Sequence, residues 1–169
     1  ENIEKMFRRV YSSGFTQRPD LTVMGAFSGL EIACWDILGK HLNRPVWALL
    51  GGKMNNRIRA YTYLYPLPHH DPVAFWTSPE MAAESAADCV QRGYTAVKFD
   101  PAGPYTVRGG HMPAQSDITL SVAFCKAIRG AIGDRADLLF GTHGQFISAG
   151  AIRLGQALEP YSPLWFEEP

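Results

Sequence analysis

Three short runs place groups able to move protons or hold a cation at the ends of apolar segments. The first is Lys98-Phe99-Asp100. On a strand, side chains two apart point the same way, so an ammonium and a carboxylate face one small volume and favour each other's charged form. A strand-end ion pair without catalytic duty would use the same residues. The second is Gly141-Thr142-His143-Gly144-Gln145. Imidazoles exchange protons near neutral pH, and small neighbours leave His143 room to meet a substrate as a general acid or base. A loop histidine bonded to solvent or backbone is the plainer alternative. The third is Trp165-Phe166-Glu167-Glu168-Pro169. Adjacent carboxylates ending a strand point to opposite faces, so only one enters a given site. A hard divalent cation such as Mg²⁺ takes carboxylate oxygens, and a strand end holds such a ligand rigidly. A solvated strand exit would look the same.

Other candidates are weaker. His69 and His70 lie in a Pro/His-rich run after an apparent strand, where active-site loops occur, and are held open for substrate contact. Arg108 and His111 fall in a long loop and could meet a carboxylate, although a solvated loop explains them too. His41 reads as a surface residue, and Trp35, Trp47 and Trp76 as packing aromatics. No phosphate-binding loop, dinucleotide fingerprint, CxxC pair or nucleophile elbow occurs.

The elements that must position these groups follow from periodicity. Ile3, Met6, Phe7, Val10 and Tyr11 repeat at helical spacing, with Gly14 as a stop. A longer helical pattern covers 23–42, and Pro45 opens a helical turn that Gly51 and Gly52 end. The run 57–64 alternates like a strand. Ser78, Pro79 and Glu80 form a helix start, and Gly93 a stop. Then come a strand over 94–100, a Gly/Pro-rich loop over 101–115 and a helix capped near Ser116 or Asp117. A strand over 136–141, a helix over 148–158 and a strand over 164–167 complete the series. Strand starts lie roughly 30 to 40 residues apart, the scale of successive βα units. The alternation predicts an α/β fold with a parallel sheet, either doubly wound or a barrel. In both, functional residues sit at the C-terminal ends of strands, where Lys98, Asp100, His143 and Glu167 fall.

Composition excludes some classes. Lys plus Arg and Asp plus Glu each number 16, so no net field draws nucleic acid or an anionic membrane. With 46% apolar residues the chain can bury a core rather than stay disordered. The 3 cysteines fall in expected helices, which fits buried thiols of a cytoplasmic protein better than disulfides. No apolar run is read as a membrane span and no signal-peptide pattern opens the chain.

Together these runs resemble a known family. The segment from Gly25 to Lys40 and that from Pro45 to Gly52 are similar to the end of the capping domain in the mandelate racemase and muconate lactonizing enzymes of the enolase superfamily. The later runs 96–100, 142–144, 158–161 and 166–169 fit the same family in order and spacing. The resemblance implies a helical end of a capping domain over 1–52 and the first half of a TIM-type (β/α) barrel over 53–169. It points to Mg²⁺-dependent acid-sugar dehydratases of the mannonate and galactonate type, cytoplasmic, with a sugar-acid substrate and a homo-oligomeric state. By position Glu167 matches a metal ligand, His143 the proton donor to the departing hydroxyl, and Lys98 the first lysine of a Lys-x-Lys strand. Two departures stand out. Gly141 replaces a metal-binding aspartate, and Asp100 stands where the racemases carry a second lysine. The resemblance leaves Asp100 as a substitute ligand or substrate contact, and an isomerase, a cycloisomerase or an inactive relative as alternatives. Four strands cannot close an eight-stranded barrel, so a partial chain without activity of its own is expected.

Overall fold

The structure is a computed structural model and describes residues 2–13, 19–100 and 109–169. Contacts divide the chain into two compact units, Glu1–Ile58 and Arg59–Pro169. The first unit is helical. Helix α1 spans Ile3–Tyr11, opened by the Asn2 side chain accepting from the Lys5 amide at 2.8 Å. Helix α2 spans Leu21–Leu42, two residues longer at its start than the apolar pattern indicates. Asp20 sets that start by accepting from the Val23 amide at 2.9 Å. Asn43, in the left-handed conformation at φ 50°, ends the helix. The short α3, Val46–Leu49, follows Pro45. Gly14, expected to stop α1, lies outside the described residues.

At 22 residues α2 is long and apolar enough to cross a membrane by length and composition, which corrects the reading that no such run exists. The run was hidden by its polar residues. Lys40 pairs with Asp36 one turn earlier at 2.6 Å, and the Trp35 indole donates to Glu31 at 3.4 Å.

The second unit is a four-stranded parallel sheet, β1 (Thr62–Tyr63), β2 (Ala96–Phe99), β3 (Asp137–Gly141) and β4 (Pro163–Glu167), in the order β1-β2-β3-β4. Strand order follows chain order without reversal. A doubly wound sheet reverses at its switch point, so this order is that of a β/α barrel. Helices α4 (Pro79–Gln91), α5 (Gln115–Ile132) and α6 (Ser148–Leu158) connect successive strands. Ser78 opens α4 as expected, its side chain accepting from the Met81 amide. Helix α5 instead starts at Gln115, because Asp117 reaches back to accept from the Ala114 amide at 3.2 Å. Asp117 therefore acts from inside the first turn, not as the cap itself.

Period-2 alternation splits the sheet into two faces. Val97, Phe99, Leu138 and Phe140 join Ala82, Ala86, Phe124, Cys125, Ile128, Leu154 and Leu158 in one buried core. Full burial of each large apolar side chain is worth about 1.5–3 kcal/mol, so this face holds the helices on the sheet. The other face carries Tyr63, Lys98, Leu139, Gly141, Trp165 and Glu167.

Strand β1 is much shorter than the alternating run 57–64, since only Thr62 and Tyr63 have ladder partners. Arg59 does a different job. Its guanidinium bonds the Thr95 hydroxyl at 2.8 Å, the Thr95 carbonyl and the Asp137 carboxylate at 2.6 Å. These contacts clasp the N-terminal edge of β2 and β3, the face of such barrels that serves stability.

Candidate active site at the C-terminal strand ends

Parallel register aligns the candidate residues. Tyr63 pairs with Lys98, Lys98 with Leu139, Leu139 with Trp165, and Gly141 with Glu167. One step beyond the Phe99–Phe140 pair, Asp100 stands beside Gly141, so Asp100, Gly141 and Glu167 share one level across three strands.

Lys98 is buried, and its Nζ donates to Glu167 Oε1 at 2.6 Å. The Lys98 side chain is 10% exposed and that of Glu167 37%, so the pair opens to solvent from the carboxylate side. Asp100 is more enclosed than Glu167, with 14% of its side chain exposed and His143 Nδ1 3.8 Å from its Oδ1. That Oδ1 is buried without a hydrogen-bond partner. Burial pushes the Asp100 carboxyl above its ordinary range, opposed by the Tyr63 hydroxyl and by the charges of His143 and Lys98. Tyr63 is held protonated: burial first, then its bond to Asp100, moves the phenol far upward.

His143 takes a left-handed backbone conformation, φ 58°, which costs a non-glycine residue about 1–2 kcal/mol. Both neighbours are tied to the end of β4. The buried Thr142 hydroxyl lies 2.7 Å from the Glu167 carbonyl and 2.9 Å from that of Glu168, and the Gly144 amide donates to the Glu168 carbonyl at 2.6 Å. The imidazole stays half exposed above the strand ends. Strain held by a clamp beside open space suits a group that must meet a substrate.

The remaining candidates go elsewhere. His69 Nε2 and His70 Nε2 bond the two oxygens of Glu84 on α4 at 3.0 and 2.9 Å. The Leu67 amide donates to His70 Nδ1 at 3.1 Å, so in neutral His70 the proton sits on Nε2. These three side chains have the composition of a metal cluster. A metal at His70 Nε2, however, would force the proton onto Nδ1, against the Leu67 N–H. The trio is therefore a latch holding the loop after β1 to α4. The His70 and His69 bonds hold the Glu84 carboxyl below its usual range. His111 donates its amide to the Gln145 carbonyl at 3.0 Å and accepts from the Ile147 amide at 3.1 Å, which pins its loop to the segment after His143. Arg108 lies outside the described residues. Tyr63, Thr142 and Glu84 escaped sequence reasoning. Alternation marked Tyr63 only as a strand former, and nothing local marked the other two.

Two carboxylates, one with an orphaned buried oxygen, form a donor set that fits a hard divalent cation.

Known proteins resemble this chain in sequence and fold. Residues 80–169 match the family model described as enolase C-terminal domain-like. Residues 1–51 match the mandelate racemase / muconate lactonizing enzyme N-terminal domain. A D-gluconate/D-galactonate dehydratase of Picrophilus torridus is 37% identical over 99% of this chain and 40% of its own length. A mandelate racemase/muconate lactonizing enzyme from Sulfitobacter sp. superposes with TM-score 0.96 at 82% identity, over 99% of this chain and 42% of its own. A similar protein from Roseovarius sp. gives TM-score 0.96 at 83% identity with the same coverage. The chain thus spans between 31% and 40% of the length of the curated relatives it matches.

Proposed function

Because the chain belongs to the mandelate racemase / muconate lactonizing enzyme family of the enolase superfamily, we propose that it supplies part of the active site of an acid-sugar dehydratase. The observation that carries this reading is the meeting of Lys98, Asp100, His143 and Glu167 at one rim of strand ends. The dehydratase activity of the Picrophilus relative supports the same reaction class here.

The reaction removes the proton next to a carboxylate and expels the β-hydroxyl as water, leaving a 2-keto-3-deoxy acid. His143 protonates the departing hydroxyl: it is half exposed, and its clamped backbone fixes where the ring stands. Lys98 faces the substrate's negative charge from the wall of the site, and its bond to Glu167 fixes where the ammonium stands. Asp100 and Glu167 would hold a divalent cation such as Mg²⁺, which when bound supplies positive charge against the anion left by proton removal. The reading makes the protein a soluble cytoplasmic enzyme, with α2 as a helix of a capping domain, supported by the match over 1–51.

The test uses the full-length protein with Mg²⁺ and a panel of aldonic and aldaric acids, gluconate, galactonate and xylonate among them. Product is read as the semicarbazone of a 2-keto-3-deoxy acid. Turnover of at least one sugar acid, lost in His143→Asn, is expected. Absence of keto-acid product across the panel overturns the reading.

A further inference from the structure

A methyl group placed on Gly141 would lie 2.7 Å from Asp100 Oδ1, 2.9 Å from Lys98 Cε and 3.5 Å from Lys98 Nζ. The volume of a β3 side chain is therefore already filled by groups from β2. Neither occupant yields cheaply. Lys98 is buried and tied to Glu167 at 2.6 Å, and the Asp100 side chain is enclosed, with 14% of it exposed. Backbone geometry does not explain the glycine, since Gly141 is absent from the left-handed residues and stays in regular register, opposite Glu167 one step after the Phe140–Phe166 pair. Glycine stands here for the space it leaves.

We propose that positions 100 and 141 share one carboxylate seat: Gly141 leaves the gap on β3, and Asp100 fills it from β2, which aligns its carboxylate with Glu167. Gly141 is thus a positioning residue that acts through Asp100. The inference rests on the reading of Asp100 and Glu167 as the pair that holds a cation, and it names what places Asp100 there. It also makes the two positions interdependent. A side chain at 141 displaces Asp100, and a carboxylate at 141 can stand in for the one at 100.

Two experiments on the full-length protein decide it. Mg²⁺ alone is titrated by calorimetry into the parent, Gly141→Ala, Gly141→Asp, and the exchange of Asp100→Gly with Gly141→Asp. Gly141→Ala should weaken Mg²⁺ binding about 10-fold or more, the usual loss when a ligand's supporting shell is disturbed. The exchange should bind within about 3-fold of the parent, because one carboxylate again occupies the seat, and better than Gly141→Asp, where two compete for it. An exchange variant that binds no better than Gly141→Asp overturns the proposal. Urea midpoints are then measured for Asp100→Gly, Gly141→Ala and their combination. The loss caused by Gly141→Ala should shrink when Asp100 is glycine, leaving the part that comes from Lys98 Cε at 2.9 Å. Strictly additive midpoint shifts overturn the shared seat even if Mg²⁺ binds. A parent that takes up no Mg²⁺ removes the cation reading, and the urea cycle still decides the seat.

Discussion

The clamp on His143 makes a quantitative prediction for Thr142→Val. Valine keeps the shape of threonine but removes the hydroxyl, whose proton is shared between the Glu167 and Glu168 carbonyls at 2.7 and 2.9 Å. Both carbonyls retain a backbone donor, Thr142 N at 3.3 Å and Gly144 N at 2.6 Å, so neither is orphaned. The expected loss is one neutral buried hydrogen bond, about 0.5–1.5 kcal/mol net. The left-handed backbone of His143 stores about 1–2 kcal/mol, so the lost bond is of the same size as the strain it restrains. With an m-value of about 2 kcal/mol/M, the urea midpoint should fall by about half a molar at constant m. His143 should relax, lowering kcat more than it raises KM. Thr142→Ser, which keeps the hydroxyl, should hold kcat near the parent value although it loses a methyl. A Thr142→Val protein with parental midpoint, parental kcat and an unmoved His143 in its crystal structure would refute the clamp.

Three further outcomes follow from the same geometry. Lys98→Met keeps the volume of the stem and leaves Glu167 to solvent, so stability should change by about 1 kcal/mol or less while kcat/KM falls about 100-fold or more; turnover within a few-fold of parent would remove Lys98 from the machinery. Glu84 contributes stability above its unfolded pKa of 4.5, lost as pH falls through its depressed folded value. The midpoint gap between the parent and Glu84→Gln should therefore hold at neutral pH and close below pH 4.5, and a gap that persists in acid would show that the latch is not ionic. Gly150→Ala would put a methyl 2.7 Å from Pro113 Cδ and 3.0 Å from the His111 carbonyl. It should cost about 1–3 kcal/mol and speed amide exchange at His111 and Ile147, whereas unchanged exchange there would show that the loop is not seated on α6.

Local patterning was enough to find most elements and all four strand-end groups. The Ser78-Pro79 start of α4, the limits of α6 and the parallel βα alternation are written in residue order, because helix caps and apolar periods act within a few positions. So was the placing of Lys98, Asp100, His143 and Glu167 at strand exits. Tertiary structure alone decided which of the alternating residues 57–64 pair, since a strand exists only where a partner accepts its ladder bonds. It also gave the strand order that periodicity left open and the family resemblance implied, turned His69 and His70 toward Glu84, and put the Asp100 carboxylate into the gap at Gly141. Those outcomes depend on the register between strands some forty residues apart. No short window of sequence encodes that register; it is set by how the core face packs.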